Sequence, residues 1–90
     1  MSKIVMNARA TNGADDSIKL SGGEKSVTFS GTWDGATAQL SYAPGASSVF
    51  VDLTSGAFTA DETKALFLGS GRLKATLSSA GTTAVNGYVD

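Results

Sequence analysis

The feature that most constrains this chain is the run SVTFSGTW, in which Val27, Phe29, Gly31 and Trp33 alternate without exception with Ser26, Thr28, Ser30 and Thr32. Side chains along an extended strand point alternately to opposite faces, so this two-residue period specifies a strand with one apolar face. Asp34-Gly35 follows, the dipeptide favoured in type I′ turns because both central residues need positive φ, and then comes TAQLSYA. Together they predict a hairpin. A two-residue loop pairs Trp33 with Ala36, Phe29 with Leu40 and Val27 with Tyr42 on the apolar face, and Thr32 with Thr37, Ser30 with Gln39 and Thr28 with Ser41 on the other. A one-residue slip would scramble both faces.

The next connection, Pro44-Gly45-Ala46-Ser47, leads into SVFVDL. A four-residue loop there sets Val49 opposite Tyr42 and Val51 opposite Leu40, which leaves Phe50 on the polar face beside Ser41. In TADETKALFLG, Thr59 and Glu62 have capping-box spacing for a short helix ending at Gly69, but Gly69-Ser70-Gly71 also reads as a three-residue hairpin loop. The hairpin is preferred, with Phe67 opposite Leu73 and Ala65 opposite Ala75. Leu73, Ala75 and Leu77 then alternate with Arg72, Lys74 and Thr76, and after a turn at Ala80-Gly81 a last strand runs through Val85 to Val89. KIVMNARA and SIKL supply two further short runs near the start.

Seven to eight short strands with one apolar face each, joined by glycine-rich turns, predict an all-β fold: a single small antiparallel β-sandwich, jelly-roll or immunoglobulin-like, over residues 1–90. With 90 residues the chain can bury one modest core, and it has no cysteine for disulfides and neither histidine nor cysteine for a structural zinc. Oligomerisation is an expected source of added stability. The net charge of −1, with basic residues scattered, argues against nucleic acid as a partner. No stretch reaches membrane-spanning length, and the opening MSKIVMNARATNGADDS is broken by Asn7 and Arg9, unlike the apolar core of a signal peptide. The expected site of synthesis is a reducing cytoplasm.

Without histidine and cysteine the commonest general base, the activated thiol and the main nitrogen and sulfur metal ligands are missing, so neither an enzyme nor a cofactor or metal site is expected. The remaining candidates are carboxylates: Asp15-Asp16, Asp61-Glu62, Asp34 and Asp52. Asp34 is explained by its turn. Adjacent carboxylates diverge on a strand and are solvated in a turn, so a glycosidase-like pair is the weaker reading, as is a calcium site at Asp16 or Asp61. Ser21-Gly22-Gly23 and Gly69-Ser70-Gly71 lack the glycine-lysine ending of a phosphate loop. Trp33 reads as a core plug in preference to a sugar-stacking platform, whereas Phe50 suits either a protein contact or plain exposure.

The stretch GTWDGATAQLSYAP, followed by FVDLTSGAFTADETKALFLGSGRLKATLSSAG, resembles small β-domain virion proteins of tailed bacteriophages, in which a Gly-Thr-Trp-Asp-Gly-Ala hairpin and a Phe-Thr-Ala-Asp turn recur. The matching positions are Gly31 to Ala36 and Phe58 to Asp61, within a resemblance over residues 26–81. It implies a capsid decoration (cement) protein, located on the virion's capsid surface and binding the major capsid protein, with symmetric homo-oligomers, often trimers. A tail or fibre component is the alternative of the same class, and a carbohydrate-binding module that of another. On the cement reading the contact residues are Phe50 with its neighbours Ser41 and Asp52. The segment Met1 to Arg9, with Lys3, Ile4 and Val5, is a candidate arm that pairs with a neighbour's sheet edge.

Overall fold

The computed structural model describes residues 3–45 and 49–90. Among them lie seven strands and no helix: β1 (Lys3–Arg9), β2 (Gly13–Ala14), β3 (Ile18–Thr32), β4 (Thr37–Pro44), β5 (Val51–Phe58), β6 (Glu62–Ser78) and β7 (Ala84–Val89). All pairings are antiparallel, in the order β1-β7-β3-β6-β4-β5 with β2 on β6. The chain is thus the all-β antiparallel fold expected, with its buried apolar residues other than Ala43 in one sandwich-like core.

Two of the strands are long. Residues 18–20 of SIKL and 26–32 of SVTFSGTW belong to one strand, β3, and the residues on either side of Gly69-Ser70-Gly71 belong to another, β6. These two pair from Ile18–Leu73 to Phe29–Glu62 without a register shift. The expected hairpin at Gly69-Ser70-Gly71, with Phe67 on Leu73 and Ala65 on Ala75, does not form, and neither does the short helix. Instead Ala75 pairs with Leu40 and Ala65 with Ser26.

The glycines act as kinks within strands. Gly22 stands opposite Gly69, between the Ser21–Ser70 and Gly23–Leu68 pairs, and both Gly22 (φ 89°) and Gly23 (φ 105°) occupy backbone that L side chains rarely adopt. At this point the buried set changes parity. Leu20 is buried on one side of the kink in β3, and Val27 and Phe29 on the other; in β6 the buried residues pass from Leu68 to Leu73, Ala75 and Leu77. The ribbon therefore turns over at its glycines and presents opposite faces to the core in its two halves. Strong twist of this kind is easiest where a ribbon has only two strands. A hairpin loop would have satisfied the local sequence, but the kink lets Leu68 and Leu73 both enter one core.

The Asp34-Gly35 turn forms as expected, with φ of 45° and 81° and the Ala36 N–H donating to the Trp33 carbonyl at 2.8 Å. Its flanks then part. β3 pairs with β6 and β7, and β4 with β5 and β6, so the expected pairs of Phe29 with Leu40 and Val27 with Tyr42 are not made. The reason is geometric: Val27, Phe29, Ala38 and Leu40 are all buried, and an alternating pattern is satisfied equally by strands that lie side by side and by strands that face each other across a core. Phe29 and Phe58 close that core with ring centroids 4.5 Å apart. Fully burying each such aromatic or a leucine contributes about 1.5–3 kcal/mol.

β4 and β5 pair two residues later than expected, Tyr42 with Val51 and Ser41 with Asp52. Val49 and Val51 are exposed, so they do not extend the apolar face. Ala46 and Ser47 of the expected loop lie outside the described residues. An irregularity separates the Ser41–Asp52 and Gln39–Ala57 pairs, and the Gln39 amide bridges it by donating to the Leu40 and Leu53 carbonyls at 2.9 Å each.

Close approach of β4 to β6 makes a test of this architecture. A Cβ at Gly71 would run into the Ala43 carbonyl, whereas one at Gly45 would meet only ordinary contacts, the nearest at 3.6 Å. Gly71→Ala is expected to destabilise the fold by about 1–3 kcal/mol through overpacking, and Gly45→Ala to change it by less than about 0.5 kcal/mol. Urea denaturation of the two variants measures the difference.

Candidate interaction surfaces

The carboxylates singled out in the sequence serve largely as struts. Asp34 Oδ2 accepts the Thr82 N–H at 2.8 Å, tying the tight turn to the loop before β7. Asp61 Oδ1 accepts the Gly31 N–H at 3.0 Å and the Trp33 indole N–H at 2.9 Å. Asp15 accepts the Asn7 N–H and forms an ion pair with Arg9, both at 2.8 Å. Asp52 accepts the Ser41 hydroxyl at 2.7 Å. Asp16 is exposed and borders, with Asp15 and Ile4, an open groove of about 470 Å³. No three histidine, cysteine, aspartate or glutamate side chains group as metal ligands among the described residues. The geometry thus assigns these oxygens to backbone amides, the indole, the Arg9 guanidinium and the Ser41 hydroxyl, in keeping with the hydrogen bonding that strand ends and turns require.

Trp33 packs partly buried against the core, its ring 6.3 Å from that of Phe29 and tilted by 53°. With its N–H donated to Asp61, the indole is fixed at the corner of the core.

Phe50, Ser41 and Asp52 do come together. Ser41 pairs across β4–β6 with Lys74, whose ammonium lies 4.6 Å from the centroid of the Phe50 ring, and across β4–β5 with Asp52. The cluster is internally satisfied: Ser41 is only 3% exposed and Phe50 is half-buried. Lys3, Ile4 and Val5 lie on β1, which pairs with β7 of its own chain, so the segment described from Lys3 onward is part of the sheet and not a detached arm. The physical cause is that Val5 and Met6 are both fully buried, anchored by the irregular register of β1 on β7. Lys3 donates to the Lys19 carbonyl, and Ile4 is exposed. Met1 and Ser2 of the expected arm lie outside the described residues.

Like Val49 and Val51, Phe67 lies where the sequence did not place it. Expected on the apolar face opposite Leu73, it is 82% exposed and pairs with Glu24. A row across the sheet runs Ile4, Tyr88, Thr28, Thr63, and Ala65 and Phe67 continue the same face along β6. The outer face of this half therefore carries Ile4, Tyr88, Ala65 and Phe67, all exposed. A signal was available: Leu66-Phe67-Leu68 is a continuous apolar run, so at least one member of the strand had to face away from the neighbours' side. Compared with protein-family models, curated proteins and solved structures, the chain matches none of them.

The Asp61 strut gives a prediction. Asp61→Ala leaves the Trp33 and Gly31 donors without their acceptor and is expected to cost about 1–2 kcal/mol, seen as a lower urea midpoint with an altered tryptophan emission spectrum. An unchanged midpoint would show that solvent replaces the carboxylate and that the corner is held by packing.

Proposed function

We propose that this chain is a structural protein of a bacteriophage particle, of the capsid decoration type, which works by presenting a rigid β-surface to the capsid shell. The observation that carries the proposal is the outer face bearing Phe67, 82% exposed, with Ile4, Tyr88 and Ala65 in the same sheet half. Large apolar side chains grouped on one sheet face are a feature of protein contact surfaces. The finer assignment to a virion rests on the residues Gly31 to Ala36 and Phe58 to Asp61 that resemble phage virion proteins. Among the described residues β1 and β5 end the sheet, each paired with a strand on one side only, and these two edges are where neighbouring copies could assemble.

The geometry gives less support to a carbohydrate-binding module. That reading required Trp33 or Phe50 as an open ring platform, whereas Trp33 packs on Phe29 and Phe50 lies beneath Lys74.

The test is the copy number of this chain in purified particles of the phage that encodes it, relative to the major capsid subunit. The proposal expects a simple capsid fraction. A few copies per particle would move the protein to the tail, and absence would overturn the virion reading. The surface is tested separately. Phe67→Ser is expected to change stability by less than about 0.5 kcal/mol, as for other exposed positions, while lowering occupancy on particles. A core-like loss of stability would refute the placement of Phe67.

A further inference from the structure

The seven basic side chains divide into two groups. Arg9 is paired with Asp15, Lys74 lies over Phe50, and Lys64 lies over Phe58 while donating to the Ser55 and Ala57 carbonyls. Three of the other four gather at one strand edge, and the fourth, Arg72, lies on the neighbouring strand. Lys3, Lys19 and Lys25 line a single cavity of about 260 Å³ together with Ser21, and the one acid among the lining residues is Asp90. Arg72 stands directly opposite Lys19 in the β3–β6 ladder. Like charges directly opposite in an antiparallel pair are destabilising, so the fold gathers positive charge here at a cost, although the chain as a whole has a net charge of −1.

The same place is an open sheet edge. β7 pairs with β3 from Thr32–Ala84 to Val27–Val89, and Asp90 then exchanges main-chain hydrogen bonds with Ser26 at 3.0 and 2.9 Å. Among the described residues no strand continues along that edge from Lys25 back to Lys19; the Lys3 ammonium on the Lys19 carbonyl marks its far end. Main-chain groups of alternate residues face the same side of a strand, so those of Glu24 face this edge as those of Ser26 do. Lys19 and Lys25 project on the face opposite to Glu24 and are separated by at most about 20 Å of extended chain. An occupant of this edge meets both the cations and the edge amides. Successive carboxylates at alternate positions of an extended chain can do so.

We infer that the open edge of β3 at residues 20–25 takes an acidic, extended segment of a partner protein, added as a further strand with its carboxylates against Lys3, Lys19 and Lys25. The inference rests on the reading of this chain as a protein-binding structural protein and names the chemistry of one partner. Main-chain bonds to the edge hold the segment and the lysines select it by charge.

The test uses the full chain, isotope-labelled, with a fluorescent seven-residue peptide that alternates glutamate with valine, and the matching peptide with glutamine in place of glutamate. The glutamate peptide is expected to bind, with amide shift changes centred on residues 19–26, and the glutamine peptide to bind at least tenfold more weakly. Lys19→Gln with Lys25→Gln is expected to weaken binding by roughly tenfold, about 1.4 kcal/mol, with a Tm unchanged or raised because a like-charge pair is relieved. Lack of binding, shifts centred elsewhere, or equal competition by inorganic phosphate or by a single-stranded oligonucleotide would overturn the inference. Particle copy number is read independently of peptide binding, so normal incorporation without peptide binding overturns this inference alone.

Discussion

The unbroken ladder between β3 and β6 is the interaction on which the other elements depend. β2, β4 and β7 pair directly with one of these strands, and β1 and β5 join through β7 and β4. The ladder works as a central ribbon because Gly22, Gly23 and Gly69 let it turn over without losing register. One half then covers the core with Leu20, Leu73, Ala75 and Leu77, and the other with Val27, Phe29 and Leu68. A chain too short for two cores thereby builds two facing halves from two strands, and its fold rests on pairings between residues far apart in sequence.

The inversion also produces the surface. Phe67 lies on the same ribbon face as Leu73, but beyond the glycines that face looks outward, so an apolar residue that alternation assigns to the core becomes exposed. The polar residues are arranged to brace corners: Asp34 and Asp61 fasten the Trp33 corner, Asp15 fastens β1, and Gln39 bridges the irregularity of β5. Among the described residues every fully buried side-chain nitrogen or oxygen has a hydrogen-bond partner. A surface carried on such a frame is pre-organised, which reduces the ordering cost of docking.

Local chemistry was legible in the sequence and long-range pairing was not. The Asp34-Gly35 turn, the strand character of residues 26–32, the inward-facing residues Val27, Phe29 and Leu40, and the last strand could all be read from it. The partners of those strands could not, because a two-residue period fixes which side is buried and not which strand lies beside it. Gly69-Ser70-Gly71 has the same local meaning as a loop or as a kink, and only the presence of β3 and β4 along the two edges of β6 decides between them. Of the candidate contact residues, Ser41 and Asp52 pair across β4–β5 and Phe50 lies by Lys74, the β6 partner of Ser41, while Val5 is held in the core by an irregular register that no alternation pattern encodes. The basic edge of β3 was invisible because Lys3, Lys19, Lys25 and Arg72 are scattered along the chain and meet only when β3 pairs with β6 and β1 lies beyond β7.

The central claim is that β3 pairs with β6, and not with β4, as a continuous ladder. Cross-strand nuclear Overhauser contacts between backbone protons measure this directly, since paired residues in an antiparallel ladder bring their Cα atoms to about 4.5–5.5 Å. The account predicts contacts linking Val27 with Lys64, Lys25 with Leu66 and Leu40 with Ala75. Contacts of Phe29 with Leu40 and of Phe67 with Leu73 would instead show two local hairpins and contradict it.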